Sequence, residues 1–101
     1  MRLELSPLAE SDLEAIGDYI AADSPDNALQ FIRRLQEQCK RIAKSPMAYV
    51  ARPELGERLR SCAYGRYVIF FLQPGEEVVR IERILHSALD IRSESFPVEP
   101  D

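Results

Sequence analysis

Eleven of the 13 basic residues in this 101-residue chain are arginine, and there is a single histidine. A guanidinium is a planar fork of donors that fits carboxylate or phosphate better than a lysine ammonium does. Five arginines, Arg58, Arg60, Arg66, Arg80 and Arg83, lie in or beside strand-like runs of the C-terminal half. Such residues clamp acids of a partner, bind phosphate, or hold strands through local ion pairs, and sequence leaves these roles open. His86 closes an apolar run. An ordinary imidazole titrates near neutral pH and suits acid–base work, but a lone histidine at a strand end reads first as a structural residue. Cys39 and Cys62 form no C-x-x-C pair, and with one histidine they cannot supply four zinc ligands. Free thiols are expected, although spacing alone leaves a disulfide possible. No metal, cofactor or small-molecule site is expected.

Length and composition bound what these residues belong to. The formal net charge is −4, with 46% hydrophobic and 30% charged residues. These values fit one soluble domain, expected over residues 1–96 with a flexible tail at 97–101, and exclude a disordered chain, a collagen or a stapled mini-protein. Acids outnumber bases six to one in residues 1–24, whereas residues 25–51 hold five bases against two acids. A pI near 5.0 disfavours a strongly basic nucleic-acid-binding domain. The longest apolar run, Tyr67 to Leu72, falls far short of the ~20 residues needed to span a bilayer, and the N-terminus lacks a signal-peptide stretch. A cytoplasmic location is expected.

The positioning elements follow from periodicity. Residues 2–5 alternate charged and apolar, a short strand pattern. Ser6-Pro7 starts a helix, with serine as N-cap and proline where its missing N–H costs nothing. Ala9, Leu13, Ile16 and Ile20 form its core stripe, and Gly17 suggests a close approach to a neighbour. Ser24-Pro25 starts a second helix with the stripe Ala28, Phe31, Ile32, Leu35, Cys39 and Ile42, ended at Ser45-Pro46. So short a break predicts an antiparallel hairpin. Residues 46–56 read as a loop. Strands are expected over 57–62, 66–73 and 77–85, with Pro74-Gly75 as the turn before the last and Gly75 at positive φ. Residues 86–92 read as a short helical turn. The order β-α-α-β-β-β predicts an α+β two-layer sandwich, with the helix hairpin on a small, largely antiparallel sheet. Leu8, Tyr19 and Leu29 fall outside the core stripes, which marks either a partner groove or a wide core face. Tyr64 and Tyr67 read as packing residues.

In order and spacing these pieces resemble the RelE/ParE toxin superfamily, and more specifically ParE, the toxin of a bacterial type II toxin–antitoxin pair. Leu5 to Leu13 resembles the family's first helix start and Tyr19-Ile20 its end. Phe31 to Leu35 and Cys39 to Ile42 resemble the second helix. Leu59-Arg60-Ser61, Tyr64 to Phe71 and Ile81 to His86 resemble the three C-terminal strands, and Asp90-Ile91-Arg92 the closing segment. The resemblance implies a toxin that binds DNA gyrase and blocks replication, neutralised by a ParD-like antitoxin that alone contacts operator DNA. The RelE-like branch instead cleaves mRNA on the ribosome, and a shared fold does not choose between them. RNA cleavage needs a base, an acid and a cation for the phosphorane charge. If this chain were a nuclease, the resemblance would assign Arg60, Arg66, Arg83 and His86. But no tyrosine follows Tyr67 and no lysine follows Lys44, so the set is incomplete and a non-enzymatic gyrase inhibitor is favoured. A degenerate toxin kept only for binding its antitoxin is the third reading. Antitoxin or target contacts are expected at Leu8, Tyr19, Leu29, Arg58, Arg60, Arg66, Arg80 and Arg83.

Overall fold

A computed structural model describes residues 1–96; the expected tail at 97–101 lies outside the described residues. The chain runs β1 (Arg2–Leu5), α1 (Pro7–Ala21), α2 (Pro25–Lys44), a 3₁₀ turn (Pro46–Ala48), β2 (Val50–Ala51), β3 (Arg60–Tyr64), β4 (Tyr67–Gly75), β5 (Val78–His86) and a second 3₁₀ turn (Ser93–Ser95). The expected α+β architecture is present. Two helices cover one face of a five-stranded mixed sheet of order β1-β5-β4-β3-β2. The last three strands form the expected antiparallel meander, and β1 joins β5 in parallel.

Both helices begin as their caps dictate. Ser6 Oγ accepts the Ala9 N–H at 3.0 Å and Ser24 Oγ accepts the Asn27 N–H at 3.3 Å. Each relieves one orphan donor of a first turn. Their stripes meet the sheet in a core of Ala9, Ile16, Leu35, Cys39, Ile42, Ile69, Phe71, Val79 and Ile81. Burying a phenylalanine or isoleucine fully stabilises by roughly 1.5–3 kcal/mol each, so this face supplies the larger share of the fold's stability.

The opposite face is covered too. Leu55, Leu59, Phe70 and Leu85 are buried there under Ile91 and Phe96, with Phe70 and Phe96 edge-on at 4.8 Å. β4 is therefore central and lined on both sides, which explains its nearly unbroken apolar sequence.

Several expected boundaries moved. The strand expected over 57–62 is found at Arg60–Tyr64, because Gly65, at φ 58°, opens the two-residue turn to β4. A glycine first in such a turn tolerates the positive φ that matches the twist of its strands. Pro74 and Gly75 belong to β4, Gly75 is not at positive φ, and the turn falls at Glu76–Glu77. Register is irregular between Leu72 and Gly75, where a proline without an N–H is tolerated. The loop expected at 46–56 contains the short strand β2. The helical turn expected over 86–92 is a turn at Ser87–Ala88, and the 3₁₀ segment lies later, at Ser93–Ser95.

Candidate functional site

β1 ends at Leu5, so the outer edge of β5 beyond Ile81 lacks a strand neighbour. The start of α1 covers it. Ser6 N–H donates to the Ile81 carbonyl at 2.9 Å and Ser6 Oγ donates to the Glu82 carbonyl at 2.7 Å. Asp12, nearly two turns further, accepts the Ile84 N–H at 3.0 Å. Its carboxylate also takes a bidentate pair from Arg83, Nε at 2.8 Å and Nη2 at 2.9 Å. Charge-assisted, two-pronged pairs of this kind are the strong ones. The Asp12 carboxylate holds the Arg83 guanidinium even more firmly protonated than usual. Arg83 Nη1 completes the tie by donating to the Ser95 carbonyl at 3.1 Å.

Each expected site residue can now be located. The fork of Arg83 is committed to Asp12 and the C-terminal segment. Arg80 lies across from Glu4 at 3.6 Å and near Glu82 at 3.9 Å, a local strand pairing. Arg60 opens β3 and donates to the Tyr49 carbonyl at 2.6 Å. Arg66 is in the turn after β3, exposed, with its carbonyl accepting the Ser87 N–H at 2.8 Å. His86 pairs with Tyr67 across β4 and β5, and their rings meet edge-on at 5.3 Å. Its Nδ1 accepts the Ala88 N–H at 3.1 Å, the structural role a lone histidine suggests. The structure thus brings Arg66 and His86 to one end of the sheet. Arg58 and Arg60 sit at the other, a whole strand away, roughly 13 Å at 3.3 Å per residue.

Tyr64 and Tyr67 pack on Phe31, with ring centroids 5.9 and 5.6 Å apart, as expected of packing residues. Leu8, Tyr19 and Leu29 are 40%, 78% and 53% exposed, so none belongs to a widened core face. Leu8 and Tyr19, eleven residues apart, share one face of α1, whereas Leu29 belongs to the first turns of α2. Sequence reading missed four further exposed apolar residues, Met1, Met47 at 70%, Val50 at 66% and Leu89, because chain ends and loops give no periodicity to read. It also missed Asp12, whose partners lie more than 70 residues away.

Cys39 and Cys62 are free and buried, and Gln38 Nε2 donates to Cys62 Sγ at 3.4 Å. Burial pushes the Cys39 thiol up to about 12, reinforced by Cys62, and burial raises the Cys62 thiol as well. No metal-holding cluster occurs among the described residues, and none of their helices is long and apolar enough to cross a membrane.

The profile of a family described as "ParE toxin of type II toxin-antitoxin system, parDE" matches residues 3–91. The chain belongs to the ParE toxin family. It is 32% identical over 91 residues to Toxin ParE1 of Mycobacterium tuberculosis, from strains CDC 1551 and H37Rv alike. The alignment covers 89% of this chain and 93% of the relative. A solved structure titled "Chromosomal ParDE TA system from P. aeruginosa" superposes with a TM-score of 0.71 at 26% identity, over 85% of this chain and 95% of that one. Membership in a family of ParE toxins marks the chain as a non-enzyme.

Proposed function

We propose that this ParE-family toxin inhibits DNA gyrase by binding it, without catalysis of its own, and so blocks replication. The observation that carries the reading is the match to ParE toxins across residues 3–91. The dispersal of the cations supports it. Arg83 is tied to Asp12, and Arg60 is a strand's length from Arg66 and His86. A transition-state phosphate would need these groups to converge. A ParD-like antitoxin, in a hetero-oligomer with the toxin, neutralises it by covering the exposed apolar residues of the helix hairpin and parts of the sheet. The complex meets operator DNA only through that antitoxin. The toxin acts in the cytoplasm as a single domain.

One observation favours a second reading. Arg66 and His86 share one end of the sheet, a cation and one of the two acid–base groups that a RelE-like ribosome-dependent mRNA endonuclease would use. Expression without antitoxin, followed by mapping of mRNA ends on the ribosome, separates the two. The gyrase reading expects growth arrest with DNA damage signalling and no new mRNA ends. Ribosomal mRNA cleavage that disappears in Arg66→Ala and His86→Ala would replace it with the nuclease. Unimpaired growth would point to a degenerate toxin.

A further inference from the structure

At the end of the sheet away from His86, the layers do not close. α2 stops at Lys44 and the chain turns at Pro46–Ala48. β3 starts at Arg60, opposite Phe71, whereas β4 runs on to Gly75. The last residues of β4 therefore overhang without a β3 neighbour. Between this overhang, the Pro46–Met47 turn and residues 58–60 lies a hollow of about 420 Å³. Pro46, Met47, Phe71 and Pro74 give it an apolar lining, and Arg58, Arg60, Gln73 and Glu76 a polar one.

Its two cations are set up differently from the other arginines of the sheet. Among the described residues, Arg58 is the only non-glycine at positive φ, 64°, a conformation that costs an arginine about 1–2 kcal/mol. Strain of this kind collects at binding sites and is tolerated when the surrounding structure enforces it. Arg58 makes no hydrogen bond or ion pair with any described residue, so the strain gains it no internal partner. Arg60 is anchored by the Tyr49 carbonyl, which uses one of its five donors and leaves the rest available.

We propose that this hollow is a docking site for an acidic side chain carried on an extended segment of a protein partner. The carboxylate lies between Arg58 and Arg60, and an apolar neighbour in the segment packs on the exposed Met47 and Pro74. Charge selects this occupant over a nucleic acid. The whole chain carries −4, Glu76 itself lines the hollow and Glu77 follows it, so a polyanion would meet repulsion where one carboxylate meets two guanidinia. The volume suits a few side chains. β2 is an edge strand of the sheet, and Val50 within it and Met47 shortly before it are both exposed. An extended segment lying along an open strand edge is a common peptide-binding mode. The partner-binding toxin reading is what makes a protein the natural ligand; the site itself does not depend on gyrase.

The test is an NMR titration of the ¹⁵N-labelled full chain, read at the Arg58 and Arg60 side-chain and neighbouring backbone resonances. Three probes are used: the capped peptide acetyl-Val-Glu-Val-Glu-Val-amide, its twin with glutamine for glutamate, and the RNA hexamer of uridine. The variant is Arg58→Gly, which removes the cation and relaxes the strained backbone, so a melting temperature no lower than wild type shows that it folds. The acidic peptide is expected to shift these resonances. Binding should weaken at least about tenfold with the glutamine twin and again in Arg58→Gly. Equal binding of the two peptides, unchanged binding in the variant, or no shift with the acidic peptide would overturn the proposal. Shifts caused by the RNA in place of the acidic peptide would do the same and reassign the hollow to nucleic acid. None of these outcomes requires gyrase inhibition, so the site and the toxin's target fail or survive separately.

Discussion

The carboxylate of Asp12 accepts two hydrogen bonds from Arg83 and one from the Ile84 N–H, and both partners belong to β5. The sequence does not set Asp12 apart from the other acids of the first helix. Its real partners are invisible there, because a pattern within one helix says nothing about which strand edge that helix will seal. Arg83, read as a candidate for partner or phosphate binding, is absorbed by the same contact. The side chains of Asp12 and Arg83 are only 14% and 21% exposed, so the pair is shielded from much solvent screening. Asp12→Asn leaves the shape but removes the charge, and is expected to cost about 2–3 kcal/mol in urea unfolding. A loss below about 0.5 kcal/mol would place the docking energy elsewhere. The thiols give a second prediction at this scale. With Cys39 raised to about 12, a thiol reagent at pH 8 should label neither cysteine in the native chain and both in guanidinium. The linkage has a definite sign. The unfolded thiol ionises near the ordinary 9.0 while the folded one stays protonated. Its contribution is therefore full below about pH 9 and falls as pH rises from there towards 12. In Cys39→Ala that alkaline decline should be shallower.

Elements were more legible than contacts. Both helices were readable to within a residue or so because each carries a Ser-Pro start and a stripe at the helical period. The meander was readable from apolar runs, but its turns were not. Pro74-Gly75 is a strong turn signal by composition, yet the hairpin turns two residues later, since strand pairing across the Leu72–Gly75 irregularity outweighs the local preference. β2 carried no signal at all, because two residues show no alternation. Gly17 is a third case. Read as a close-packing glycine, it has room. A Cβ there would lie 3.7 Å from Ile32 Cγ1, an ordinary contact. Gly17→Ala should therefore stabilise the protein by about 0.5–1 kcal/mol, through helix propensity alone. Thermal or urea denaturation checks this, and a destabilised variant would mean that the two helices sit closer than the geometry indicates.

Over the whole molecule, the sheet keeps its charged residues at separate places. Arg66 and His86 sit at one end, Arg58 and Arg60 at the other, and Arg80 and Arg83 along β5 in ion pairs with Glu4, Glu82 and Asp12. The order of elements was enough to identify the family, because a fold is spread over nearly every residue. The site was less legible, because whether five arginines converge depends on register and anchoring, which spacing along the chain does not report. Charges spread in this way suit the proposed docking better than catalysis at one reacting atom. The most direct measurement is a gyrase supercoiling and DNA-cleavage assay with the purified, antitoxin-free chain. Inhibition with accumulation of cleaved DNA, reversed by adding antitoxin, is the predicted result. A folded protein that leaves supercoiling and cleavage unchanged at concentrations well above that of gyrase would contradict it.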